Sequence, residues 1–179
     1  MLKIENTVLV LIDVQERLIV AMHEREALVA SLTRLLRGAV ALGVPVLVTE
    51  QIPEKLGATV PALAAAAGSQ GAIVKSCFSC AGAPAFLERI RALGRTQVVL
   101  CGIEAHVCVY QTARDLLDAG YHVEVVVDAV SSRSPGNRRI ALDRLVREGA
   151  AVTSVEMTLF ELQRVASGDT FKALLGIVK

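Results

Sequence analysis

Five residues stand where apolar runs of this sequence end: Asp13, Glu50, Lys75, Asp128 and, just past the fourth run, Cys108. An acid, a lysine and a cysteine brought to one rim form a nucleophilic set. The thiol attacks a carbonyl carbon, Asp13 takes its proton, and Lys75 orients the carboxylate and offsets negative charge. Fixed N–H donors at the start of the helix carrying Cys108 would hold the oxyanion. The stretch Gln97-Val98-Val99-Leu100-Cys101-Gly102-Ile103-Glu104-Ala105-His106-Val107-Cys108 organises this set. An apolar strand ends at Gly102 and a helix follows, so the positive end of the helix dipole is expected to lower the thiol pKa.

The elements that position these residues read as alternating strand and helix. Continuous apolar runs at Thr7 to Ile12, Val44 to Thr49, Ala72 to Lys75, Gln97 onward, Val123 to Val127 and Ala150 to Ser154 predict six strands covered on both faces. Helical spacing predicts helices from about Glu24 to Leu42, after Pro61, from Pro84 to Gly94, up to about Ala119, from Pro135 to Gly149, and over Val155 to Ala166 and Thr170 to Val178. The alternation argues for an α/β fold: a doubly wound, mainly parallel sheet with helices on both faces, spanning residues 1–179 as one domain. In such sheets ligands gather outside the carboxyl ends of the strands, which is where the five polar residues fall.

Composition narrows the function classes. The chain has 179 residues, 53% of them hydrophobic and 3% aromatic, so its core is aliphatic. A formal charge of +1 leaves no basic excess for nucleic acid or anionic lipid. No apolar run reaches a membrane-spanning length, no secretory signal is visible, and four cysteines do not make a disulfide framework. These features read as a cytoplasmic protein with reduced thiols and a small-molecule substrate.

The ordered motifs Leu9-Val10-Leu11-Ile12-Asp13-Val14-Gln15, Val74-Lys75 ahead of Phe78-Ser79, Gly102-Ile103-Glu104-Ala105-His106-Val107-Cys108-Val109 and Val126-Val127-Asp128-Ala129 with Ser131-Ser132 span nearly the whole chain. With them the sequence resembles the isochorismatase-like cysteine hydrolase superfamily, which includes nicotinamidases, N-carbamoylsarcosine amidase and isochorismatase. The resemblance implies a three-layer Rossmann-like domain with strand order 3-2-1-4-5-6 and a catalytic triad of Asp13, Lys75 and Cys108. It also implies a cis peptide between Ile103 and Glu104 that turns the Glu104 N–H toward the Cys108 N–H in an oxyanion hole. Assembly into a homo-oligomer, a dimer or higher, is implied as well.

Departures from the family pattern matter equally. Nicotinamidases carry an Asp/His/His metal site after the second strand, whereas Thr49 to Gly57 here contains no histidine; the three histidines are His23, His106 and His122. The resemblance therefore implies no metal and no cofactor. Isochorismatase itself lacks the nucleophile-position cysteine that this chain has. Thr49-Glu50-Gln51, Pro53, Leu56, Gly57 and Thr59, with Glu156-Met157 and Phe160-Glu161, resemble an isochorismatase-domain subgroup of poorly defined substrate. The expected activity is a metal-independent hydrolysis of an amide or ureido C–N bond through a thioester. Glu50, Gln51, Phe78 and His106 are candidates to line the pocket, against loop capping and surface packing as their ordinary roles. His106 and Cys108, two positions apart on a helix, should point apart.

Other classes stay open at this level. Cys77-Phe78-Ser79-Cys80 is a C-x-x-C that raises a redox function, against the plain reading of two packed thiols. Vinyl-ether hydrolysis of an isochorismate-like substrate is the alternative within the fold, and a non-catalytic binding protein is another. Asp128 reads as a cap on a following turn.

Overall fold

The computed structural model describes residues 1–68 and 71–179. Among them, strands β1 (Thr7–Ile12), β2 (Val46–Gln51), β3 (Ile73–Lys75), β4 (Gln97–Ile103), β5 (His122–Ser131) and β6 (Ala151–Thr153) form one sheet in the order β3-β2-β1-β4-β5-β6. Every pairing in it is parallel. The reversal of strand order lies between β1 and β4, the place where such sheets open a crevice.

Side chains of β1 alternate between two apolar layers. Leu9 and Leu11 face helices α2 (Arg25–Ala41), α4 (Pro61–Ala67), α8 (Val155–Gln163) and α9 (Asp169–Val178). Val8, Val10 and Ile12 face α5 (Pro84–Ala92), α6 (Tyr110–Asp118) and α7 (Pro135–Arg147). With both faces covered, all six residues of β1 are buried, which is why its sequence is a continuous apolar run. Two short helices, α1 (Glu16–Ile19) and α3 (Pro53–Leu56), flank the strand ends; four residues are too few for a periodic signal.

Three boundaries depart from the sequence-based expectation, each for a local reason. β2 starts at Val46 because the Val44 N–H closes the end of α2 on the Ala39 carbonyl at 2.9 Å. β5 runs on to Ser131 through an irregularity: Leu100 pairs with Val125, whereas Gly102 pairs with Val130. The third is the start of the helix after β4, where Ala105–Val109 forms a π-helical turn before α6 begins. The Ile103–Glu104 peptide preceding it is cis.

Gly102 is required where it stands. Its φ is +114°, and a Cβ there would lie 2.2 Å from the Ile12 carbonyl oxygen and 2.7 Å from the Ile12 nitrogen. The absence of a side chain lets β4 press against the end of β1 just before Asp13.

Candidate active site

Asp13, the residue after β1, is fully buried and sits at φ +53°, a left-handed conformation that Asp tolerates better than most residues. Its N–H reaches the Thr49 carbonyl at 3.2 Å, tying it to the neighbouring strand. Both carboxylate oxygens have donors: the Thr49 hydroxyl donates to Oδ1 at 2.7 Å and Lys75 Nζ to Oδ2 at 2.5 Å. Lys75 ends β3, and its ammonium also donates to Gln51 Oε1 at 3.3 Å and to the Cys77 and Phe78 carbonyls at 3.1 Å each. Burial works against its charge, but the Asp13 carboxylate is the main influence opposing it and the net shift is upward, so Lys75 is held as an ammonium.

Cys108 lies in the π turn and is 5% exposed; Lys75 is 4% exposed and Asp13 0%. The thiol donates to Gln51 Oε1 at 3.3 Å. Burial, then the Asp13 carboxylate, push its pKa up, and Lys75 only partly opposes them. This corrects the expectation of a lowered thiol pKa. The helix dipole is outweighed by desolvation and by the nearby Asp13 carboxylate. Cys108 therefore holds its proton, with the Asp13 carboxylate close by.

Of the five polar residues that end or follow strands, three converge: Asp13, Lys75 and Cys108. Glu50 instead braces the segment before α4, its Oε1 accepting from the Thr59 N–H at 2.6 Å and hydroxyl at 2.8 Å. Asp128 sits in the irregular part of β5 and accepts from the Val155 N–H at 2.9 Å, so it caps the distant α8 and not the following turn that the sequence suggested. Phe78 contributes its carbonyl to Lys75, while its side chain is exposed. His106 bonds Ser132 Oγ at 3.0 Å and Asn137 Nδ2 at 3.4 Å, so it and Cys108 do diverge. The Glu104 carboxylate accepts from Arg133 Nε at 3.0 Å. Of the C-x-x-C pair, Cys77 is half-buried and Cys80 is buried in the core; both are free thiols. Burial first, with Asp13 adding, pushes Cys80 up to about 11, which opposes thiolate chemistry there. Among the described residues no group of three or more His, Cys, Asp or Glu side chains is placed to share a metal ion.

Two residues with positioning contacts had no assigned role in the sequence reading. Gln15, fully buried, receives the Gln51 N–H on Oε1 at 2.8 Å and donates through Nε2 to the carbonyls of Gln51 at 3.1 Å and Gly57 at 2.6 Å. One side chain thus fixes the end of β2 and the loop beyond it. A glutamine three residues past the end of a buried apolar strand was the available signal. Thr49 had none, because its contact with Asp13 depends on the β1–β2 register that pairs Ile12 with Thr49.

The isochorismatase domain family model matches residues 7–157 of this chain. Isochorismatase domain-containing protein 2A of Mus musculus is 41% identical over 178 residues, covering 98% of this chain and 84% of the mouse protein. The structure described as MAR1 ribonuclease from Caenorhabditis elegans superposes with a TM-score of 0.92 at 35% identity, over 99% of this chain and 91% of that one. YcaC from Escherichia coli, described as an octameric hydrolase of unknown specificity, has a TM-score of 0.93 at 23% identity, over 98% of this chain and 89% of its own. At that identity the likeness is one of fold.

Proposed function

For a chain that belongs to the isochorismatase-domain family, we propose metal-independent cysteine hydrolysis of an amide or ureido C–N bond in a small molecule. The observation that supports this most is the buried convergence of Asp13, Lys75 and Cys108, with both carboxylate oxygens of Asp13 held. The Cys108 proton passes to Asp13 as sulfur bonds to the carbonyl carbon. The oxyanion is held by the backbone N–H groups of Glu104 and Cys108. The C–N bond breaks, the amine departs with the proton from Asp13, and a thioester remains. Water then adds, giving its proton to Asp13; the acid leaves and the proton returns to sulfur. Lys75 stays charged throughout and keeps Asp13 in place.

Glu50, Phe78 and His106 carry no step in this scheme, and the C-x-x-C thiols serve as packing. A small-molecule substrate fits a net charge of +1, which gives no excess of cations for a polyanion such as RNA. A homo-oligomer working in the cytoplasm is part of the same reading. Isolated apolar side chains such as Val74 and Phe78, at 56% and 51% exposure, are available for contact with a second copy.

The test is a panel of amides, carbamoyl compounds, isochorismate and short RNA, assayed with wild type and Cys108→Ala. Turnover of an amide or carbamoyl compound that disappears in Cys108→Ala is the expected result. Turnover of isochorismate or RNA alone, with the variant retaining its rate, overturns the proposal.

A further inference from the structure

Gln51 is the half-buried member of an otherwise buried cluster, and the chemistry of its neighbours fixes which way its carboxamide faces. It ends β2 directly beside Lys75 in the parallel register, and Gln15 holds both its N–H and its carbonyl. The side-chain atom 3.3 Å from Lys75 Nζ and 3.3 Å from Cys108 Sγ has two donors aimed at it. An ammonium has no acceptor capacity, so that atom is the oxygen. The NH2 group is therefore turned away from Lys75 and the thiol. Among the described residues Nε2 has no partner, and Arg34 Nε is the only side-chain nitrogen or oxygen that is both buried and unpartnered. The Gln51 NH2 thus opens to solvent beside the sulfur.

We propose that Gln51 is a specificity-determining residue whose NH2 donates to an oxygen on the substrate atom adjoining the carbonyl carbon that Cys108 attacks. This rests on the nucleophile reading of Cys108 and narrows its substrate class. Nε2 shares a carbon with the oxygen that touches Sγ, so an acceptor it binds lies near the attacked carbon. The favoured substrates are amides with an α-oxo, α-hydroxy or carboxylate oxygen, in preference to simple alkyl amides. An apolar substituent there would leave the donor unpaired when the site closes around it, which is the source of discrimination.

The test uses two neutral alkylating agents on the intact protein and reads Cys108 modification by peptide mass spectrometry. Iodoacetamide carries a carbonyl oxygen on the atom adjoining the attacked carbon; iodoethane does not. In both reactions an S–C bond forms, iodide leaves, and the thiol proton goes to Asp13. The iodoacetamide to iodoethane rate ratio, divided by that of free cysteine, removes intrinsic reactivity. Wild type is expected to exceed free cysteine by on the order of tenfold, the worth of one hydrogen bond. Gln51→Glu keeps the acceptor for Lys75 and removes the donor, and Gln51→Met removes both; each should return the ratio to that of free cysteine. Unfolding would expose the thiol and also return the ratio to that of free cysteine, so each variant is read only where its circular dichroism and urea midpoint match wild type. A wild-type ratio equal to that of free cysteine, or variants that keep the wild-type ratio, overturn the specificity role and leave the nucleophile reading standing. Failure of both reagents to modify Cys108 in the folded protein overturns the two together.

Discussion

At the scale of single residues, the proposed chemistry turns on a proton that Cys108 keeps until Asp13 removes it. Because burial and Asp13 raise the thiol pKa, labelling by a neutral electrophile should show no inflection across the ordinary thiol range of about pH 8–9. A sigmoidal rise there would mean a free thiolate and a different activation. Asp13→Asn removes the base and should slow Cys108 labelling by about 100-fold or more, read as a rate at fixed pH. Thr49→Val removes the 2.7 Å donor to Asp13 Oδ1 and should lower the same rate by about tenfold with little loss of fold. That Asp13, Lys75 and Cys108 come together was legible in the sequence, since strand ends in a doubly wound sheet share a rim. The electrostatics were not. Whether a helix N-terminus or a neighbouring carboxylate governs a thiol depends on distances that a linear pattern does not contain.

At the scale of elements, most of the framework could be read from hydrophobic pattern, and the misreadings cluster where hydrogen bonds override it. The β5 irregularity swings Asp128 off the rim to cap α8, a result of register, and the π turn at Cys108 has the same composition as an α-helical one. Register also governs Gly102. Gly102→Ala forces a Cβ onto the Ile12 backbone and an L residue to φ +114°, so it should cost more than about 3 kcal/mol by urea denaturation. Near-wild-type stability would show that β4 can shift away from β1. Gln15→Ala leaves one N–H and two carbonyls at the end of β2 and in the following loop without their partner. It should lower stability by about 2–3 kcal/mol and raise KM more than it lowers kcat, because the loop it ties is released while the reacting groups stay.

For the molecule as a whole, buried thiols make stability depend on alkaline pH. Burial raises Cys80 to about 11, Cys101 and Cys108 are also raised by burial, and Lys75 is raised by the Asp13 carboxylate. The folded state therefore holds protons that the unfolded chain releases, and stability falls as pH rises above the unfolded thiol value of about 8.5. The urea midpoint should be level below that value and decline between it and about pH 11, with a shallower decline in Cys80→Ala. A midpoint that rises across this window would contradict the burial of these groups. Their placement also shapes what variation the protein can absorb. Asp13, Lys75 and Cys108 are anchored after β1, at the end of β3 and in the turn after β4, whereas the segment beyond β2 is moored by the side chains of Gln15 and of Arg17, which donates to the Lys55 carbonyl at 2.8 Å. That mooring grips backbone atoms of Gln51 and Gly57 and no side chain of the segment. The exposed side chains of Glu54 and Lys55 thus form an interchangeable surface: they can be rewritten while Gln15 and Arg17 dock the backbone against the same unaltered chemistry.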